Sequence, residues 1–177
     1  MEHGDAMIGR AVRRVCVTTL VGMMAAVPAD AQIFENIPAP NVELRAAKGP
    51  RVRLADFKGK VVLVEFWASW CPDCHLSFPA LDAIQREFQS KGVEVIAINV
   101  HDERKNADAF LKGRQPQLRV MFDPRLRAWD AFGALGVPTS FVIDRRGIIR
   151  YMHEGFDKAT DAAYRHQIAT LLAEPSP

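Results

Sequence analysis

Two cysteines three positions apart, Cys71 and Cys74, lie in the run Phe66-Trp67-Ala68-Ser69-Trp70-Cys71-Pro72-Asp73-Cys74-His75. Thiols at this spacing can close a disulfide, exchange it with another disulfide, or hold a soft metal ion such as copper. A disulfide between them encloses almost no chain and adds little by constraining the unfolded state, so its value would be chemical. The same letters fit C-x-x-C-H, the signature of covalent haem attachment. Met121 and Met152 are the nearby axial ligands by type. Zinc is served less well, because Cys71, Cys74 and His75 supply three ligands with no fourth in view.

The flanking residues predict how the pair is held. Val61 to Phe66 is an apolar run interrupted only by Glu65, which suits a strand covered on both faces. Trp67 to Trp70 make a short turn, and Pro72 fits the first turn of a helix, where its missing N–H costs nothing. Cys71 then faces the free N–H groups and positive dipole end of that helix, which favour its thiolate, the reactive form. Leu76, Pro79, Ala80, Ala83, Ile84 and Phe88 follow at helical spacing as the core-facing stripe, with Pro79 expected to kink the helix. Asp73, beside Cys71, opposes its ionisation. A less favoured thiolate makes the dithiol less favoured and the pair more reducing.

These motifs resemble those of the thioredoxin superfamily. Its members carry an acidic residue on a strand, F-W-A-x-W-C-x-x-C, and a helix proline five residues after the second cysteine. Here these are Glu65, Phe66 to Trp70, Cys71 to Cys74, and Pro79. A second mark lies downstream as Gly136-Val137-Pro138-Thr139, followed by Phe141 to Asp144 and Gly147. The match covers residues 38–174 and is similar to the TlpA/ResA/DsbE-like branch of thiol–disulfide oxidoreductases. It implies an α/β thioredoxin fold, a mixed central sheet flanked by helices, with an N-terminal β-hairpin and a central helix–strand insertion.

The resemblance also assigns roles. Cys71 would be the exposed nucleophile, Cys74 the buried thiol that releases the mixed disulfide, and Glu65 the group that takes the Cys74 proton. Burial on an apolar strand should raise the Glu65 pKa toward the working range. The superfamily more often has Asp there, and a salt-bridged structural acid is the alternative. Pro138 would be cis and face the cysteines, with Val137–Pro138 pairing substrate backbone as a strand does. Trp70, Pro72, Asp73, Val137 and Pro138 are then the substrate-facing residues. No metal and no cofactor beyond the Cys71–Cys74 disulfide is implied. Partners would be exported proteins with disulfides, apocytochrome c among them, and a membrane thiol–disulfide transporter as electron donor. A peroxidase of the related peroxiredoxin type would need Thr where Ala68 stands.

The start of the chain reads as an address label. Arg10, Arg13 and Arg14 precede the apolar run Val15 to Val27, and Ala29-Asp30-Ala31 gives an A-x-A cleavage signal. Residues 1–31 therefore read as a signal peptide and the protein as periplasmic. The run falls short of the about 20 apolar residues that span a bilayer, though an uncleaved anchor is the alternative. Cys16 would be lost on cleavage. Residues 32–37 read as an N-terminal linker and 38–174 as one domain, large enough to bury a core without staples. Its two cysteines are therefore free for redox chemistry in an oxidising compartment. A net charge of +2 gives no hint of nucleic acid.

The remaining elements are expected around this centre. Asn41 to Arg45 and the alternating Val52 and Leu54 form a hairpin across Lys48-Gly49-Pro50. Val93 to Val100 is a second buried strand. Asp102 to Lys112 is a helix, Leu118 to Phe122 a short strand, and Leu126 to Phe132 another helix. Thr139 to Ile143 and Ile148 to Met152 pair across Asp144 to Gly147. A last amphipathic helix is capped by Asp157 or Thr160 and buries Ala163, Ile168, Leu171 and Leu172.

Overall fold

The computed structural model describes residues 32–47 and 49–175; the expected signal peptide, with Cys16 and Ala29 to Ala31, and also Lys48 lie outside the described residues. At the centre is β4 (Val61–Trp67), buried along its whole length as its apolar run requires. Alternate residues face opposite layers. Val61, Leu63 and Trp67 join one core with residues of α1 (Pro72–Phe88) and α4 (Lys158–Ala173). Val62, Val64 and Phe66 join the other with Ala128 and Phe132 of α3 (Arg127–Phe132).

Strands β5 (Val93–Asn99) and β6 (Arg119–Phe122) extend the sheet in parallel on one side of β4. On the other side β7 (Thr139–Ile143) and β8 (Ile148–Glu154) run antiparallel. The expected hairpin is β2 (Glu43–Ala46) with β3 (Arg51–Arg53), and β2 also pairs with β6. Between β5 and β7 stand α2 (Arg104–Leu111), β6 and α3, the expected helix–strand insertion. With β1 (Gln32–Pro38), the sheet order is β1-β8-β7-β4-β5-β6-β2-β3. This is a mixed sheet flanked by helices.

Three expectations are corrected. Residues 32–37 are not a linker but strand β1, paired antiparallel with β8. The outer edge of β8 offers unpaired backbone groups there, and Pro38 is tolerated at a strand end. Leu54 leaves the hairpin and opens a 3₁₀ turn, Leu54–Phe57. On α1 the buried positions are Cys74, Ser77, Phe78, Leu81, Asp82, Ile84, Gln85 and Phe88, while Leu76, Pro79 and Ala83 face solvent. The stripe is rotated because polar side chains hold core positions by bonding to backbone. Gln85 Oε1 accepts the Val95 N–H, and Asp82 accepts those of Gln117 and Leu118. Gly92, at φ 88°, then turns the chain from the end of this segment into β5.

Candidate active site

Cys71 is the N-cap of α1, with extended backbone, and Pro72 follows at the first helical position. Its sulfur accepts the Cys74 N–H at 3.1 Å, one of the donors that a helix start leaves free. Cys71 and Cys74 are joined as a disulfide, with Cα atoms 5.2 Å apart. The Val137 carbonyl lies 3.5 Å from Cys71 Sγ, and the Val137–Pro138 peptide bond is cis. Two motifs 66 residues apart therefore meet at one sulfur. Cys74 is fully buried, as expected, but Cys71 is only 3% exposed. In the disulfide form Cys71 is thus more enclosed than the sequence suggested, because the helix opening holds it against the Val137 carbonyl.

The turn before Cys71 is latched to the end of β5. Ser69 N–H donates to Asp102 Oδ2 at 2.7 Å, and Asn99 Nδ2 donates to the same oxygen at 3.0 Å. Trp70 Nε1 donates to the His101 carbonyl at 2.9 Å, yet the side chain stays 60% exposed. His75 Nε2 lies 2.8 Å from the Ser69 carbonyl, and its ring meets Phe110 edge-on. Pro72 and Asp73 are exposed at the helix start. Leu76 and Leu135, 63% and 85% exposed, belong to the same chain neighbourhoods as Trp70 and Pro138.

Glu65 lies on the face of β4 that carries Leu63 and Trp67, against α1. It is fully buried, and among the described residues no cation pairs with it. Its partners are hydroxyls: Ser77 Oγ donates to Oε1 at 2.6 Å and Ser140 Oγ donates to Oε2 at 3.3 Å. Burial raises its pKa to about 7, against the opposing pull of the two serines. The salt-bridged alternative is not what the fold builds. Ser77 Oγ also lies 3.4 Å from the Cys74 carbonyl, so it links the acid to the turn carrying the buried sulfur. Ser140 in turn meets the hydroxyl of Tyr164 at 2.5 Å.

The expected residues Glu65, Cys71, Cys74, Val137 and Pro138 are thus brought together, with Trp70, Pro72 and Asp73 on the outer side. Sequence inspection missed Ser77, Ser140, Tyr164, Asn99 and Asp102. Ser77 was within reach, since it follows Cys74 by three and so shares its helix face. Ser140 stands directly across from Glu65 in the β4–β7 ladder, a pairing visible only once the register is known.

Comparison with known proteins places this arrangement. A profile of the Redoxin family matches residues 35–169. The Bacillus subtilis thiol-disulfide oxidoreductase ResA is 35% identical over 115 residues, 65% of this chain and 64% of ResA. The matched stretch thus spans a little under two thirds of that protein. The thioredoxin-like protein YneN of Bacillus subtilis is 31% identical over 126 residues, covering 70% of this chain and 73% of YneN. Among solved structures, a Chlorobium tepidum protein assigned as a thiol:disulfide interchange protein DsbE superposes with a TM-score of 0.75 at 36% identity. That likeness covers 80% of this chain and 100% of the other. The mixed sheet and its flanking helices are a thioredoxin-like fold, as the motifs implied.

Proposed function

The chain belongs to the Redoxin family, and from that premise we propose that it is an exported thiol–disulfide oxidoreductase that reduces disulfides in exported proteins. The observation that carries this is the Cys71–Cys74 disulfide at the opening of α1, its outer sulfur facing the cis Val137–Pro138 bond.

In the dithiol form, the Cys71 thiolate accepts the Cys74 N–H and the helix-end field, which lower the cost of ionisation. It attacks one sulfur of a substrate disulfide. One S–S bond forms, one breaks, and the first substrate thiolate leaves to take a proton from solvent. The Cys74 thiol then gives its proton to Glu65, whose pKa near 7 leaves part of it available as base. Ser77 holds the carboxylate toward that turn. The Cys74 thiolate attacks Cys71 Sγ, closing the enzyme disulfide and releasing the second substrate sulfur as a thiolate, which takes a proton from solvent. Two electrons pass to the substrate, and a dithiol donor must restore the enzyme. A membrane thiol–disulfide transporter is the proposed donor. The two sulfurs suffice, so no metal or cofactor is invoked.

Asp73 supports the reducing direction, since a carboxylate in the first turn of α1 opposes a thiolate at its N-cap. Apocytochrome c is one substrate class consistent with that direction. Export rests on the sequence of residues 1–31, and mass analysis of the secreted form should find Gln32 as its first residue. Among the described residues, no helix is long and apolar enough to cross a membrane.

The deciding experiment is reduction of a disulfide-bonded protein by the dithiol form. Cys71→Ser should fall to the uncatalysed rate, and Cys74→Ser should accumulate a mixed disulfide through Cys71. Full activity in Cys71→Ser would end the proposal. Equilibration with glutathione should give a potential well below that of a strong oxidant, about −120 mV.

A further inference from the structure

The parallel strands β4, β5 and β6 end on the same edge of the sheet, the usual place for a ligand crevice in open α/β sheets. Cys71 follows the end of β4. Beyond the ends of β5 and β6 opens a cavity of about 550 Å³. Its lining holds five arginines, Arg45, Arg51, Arg104, Arg125 and Arg127, against three carboxylates, Glu43, Asp102 and Asp123.

Each carboxylate has partners within the fold, although Asp102 Oδ1 is buried without one. Glu43 accepts from Arg51 at 2.8 Å. Asp102 holds Ser69 N–H and Asn99, and Asp123 accepts the backbone N–H groups of Arg127, Ala128 and Trp129. Arg104 bonds Asp108 and stacks over Phe122, its guanidinium 4.0 Å from the ring centroid. That leaves Arg45, Arg125 and Arg127, which among the described residues pair with no carboxylate. All three are exposed along the cavity. Guanidinium groups without an ion-pair partner, in a cavity where arginines outnumber carboxylates, attract further carboxylates, which they can bind in a fork of two hydrogen bonds.

The wall of this cavity is also the support of the catalytic turn. His101 and Asp102 line it, while their carbonyl and carboxylate hold Trp70 and Ser69. A polypeptide laid across Trp70 to present its disulfide to Cys71 therefore continues onto the arginines without leaving the surface. We propose that the cavity is a substrate subsite for acidic side chains, so that the protein prefers disulfides flanked by Asp or Glu. This rests on the thiol–disulfide chemistry proposed above.

The test uses two synthetic peptide disulfides, identical except that Asp residues flanking the cysteines in one are Asn in the other. Each is reduced by the dithiol form of the protein at low ionic strength. The acidic peptide should show a kcat/KM about tenfold higher, mainly through KM, as charge complementarity of this kind acts on encounter and binding. In Arg125→Gln/Arg127→Gln the preference should shrink to about twofold, and raised salt should do the same. The Asn peptide should react equally with both proteins, which shows that the variant is folded and its sulfurs intact. Equal rates for the two peptides with the parent protein, or a preference that survives the double substitution, would overturn the subsite while leaving the sulfur chemistry standing. Reduction of neither peptide would instead overturn the thiol–disulfide proposal, and the subsite with it.

Discussion

Two buried glutamates occupy opposite ends of the same pair of central strands and meet different company. Glu94, near the start of β5, lies between Lys60 Nζ and Arg119 Nε, each 2.8 Å from one of its oxygens. Glu65, near the end of β4, has only hydroxyls. A carboxylate flanked by two cations serves as a tie between strands. One that is buried among hydroxyls can exist in either form, because serine can donate to the anion or accept from the acid. The same residue type is therefore a fastener at one end of the sheet and a titrating group at the other. The end with the titrating group is the end with the sulfurs.

Exchanging each glutamate for glutamine should separate these roles. If Glu65 takes the Cys74 proton as proposed, Glu65→Gln should slow resolution of the mixed disulfide by about 100-fold near pH 7. Rapid-mixing measurement of that step checks it, and an unchanged rate would put Glu65 outside the chemistry. Formation of the mixed disulfide at Cys71 should change far less.

The same exchange should alter stability with a defined sign. The folded pKa of Glu65 is about 7, against the ordinary carboxylate value of 4.5. Below the lower value both states are protonated and no penalty exists. As pH rises from there to about 7, the unfolded chain releases a proton that the folded chain retains. The oxidised protein should therefore lose on the order of 3 kcal/mol of stability between pH 5 and 8. Glu65→Gln should flatten most of that slope and be more stable than the parent at pH 8. Denaturant titrations at the two pH values decide this. Parallel slopes would mean that Glu65 is ionised in the fold after all.

Glu94→Gln should do the reverse. Lys60 and Arg119 are both partly exposed, so the loss falls below that of a fully buried pair, about 1–2 kcal/mol. Disulfide reduction should stay within about twofold of the parent, because no part of this tie reaches the cysteines. A large rate effect here would erase the distinction between the two ends.

How much of this difference was written in the sequence depends on how local each signal is. Glu65, Cys71, Cys74 and Pro138 were legible because an apolar run, a cysteine spacing and a short proline motif each mark them within a few residues. Glu94 carries no such mark, and its cations come from positions 34 and 25 residues away. Ser140 and Tyr164 look like ordinary strand and helix residues until β4 and β7 are set in register. The rotated face of α1 has a related cause. Leu76 counts as apolar in any periodicity, but Asp82 and Gln85 win the core positions by satisfying backbone N–H groups that would otherwise be buried unpaired. Strand β1 depends on a partner more than 100 residues downstream, and nothing in 32–37 announces it.

The smallest effect tests how far the hydroxyl chain behind Glu65 extends. When Ser140 gives its one proton to the ionised Glu65 Oε2, its contact with Tyr164 is a donation from the tyrosine. Burial and the nearby Glu65 carboxylate both push the Tyr164 pKa well up, which keeps that proton in place. A serine that accepts from one side donates more strongly on the other, and donation to a carboxylate favours its ionised form. Tyr164→Phe should therefore raise the apparent pKa of Glu65 further and lower the rate of mixed-disulfide resolution near pH 7 by about two- to threefold. The rate should recover at higher pH, where the carboxylate ionises regardless. A purely structural role for Tyr164 would lower stability without moving the pH midpoint. A midpoint that moved downward would mean that Ser140 donates to the tyrosine, and that its removal frees the serine proton for Glu65.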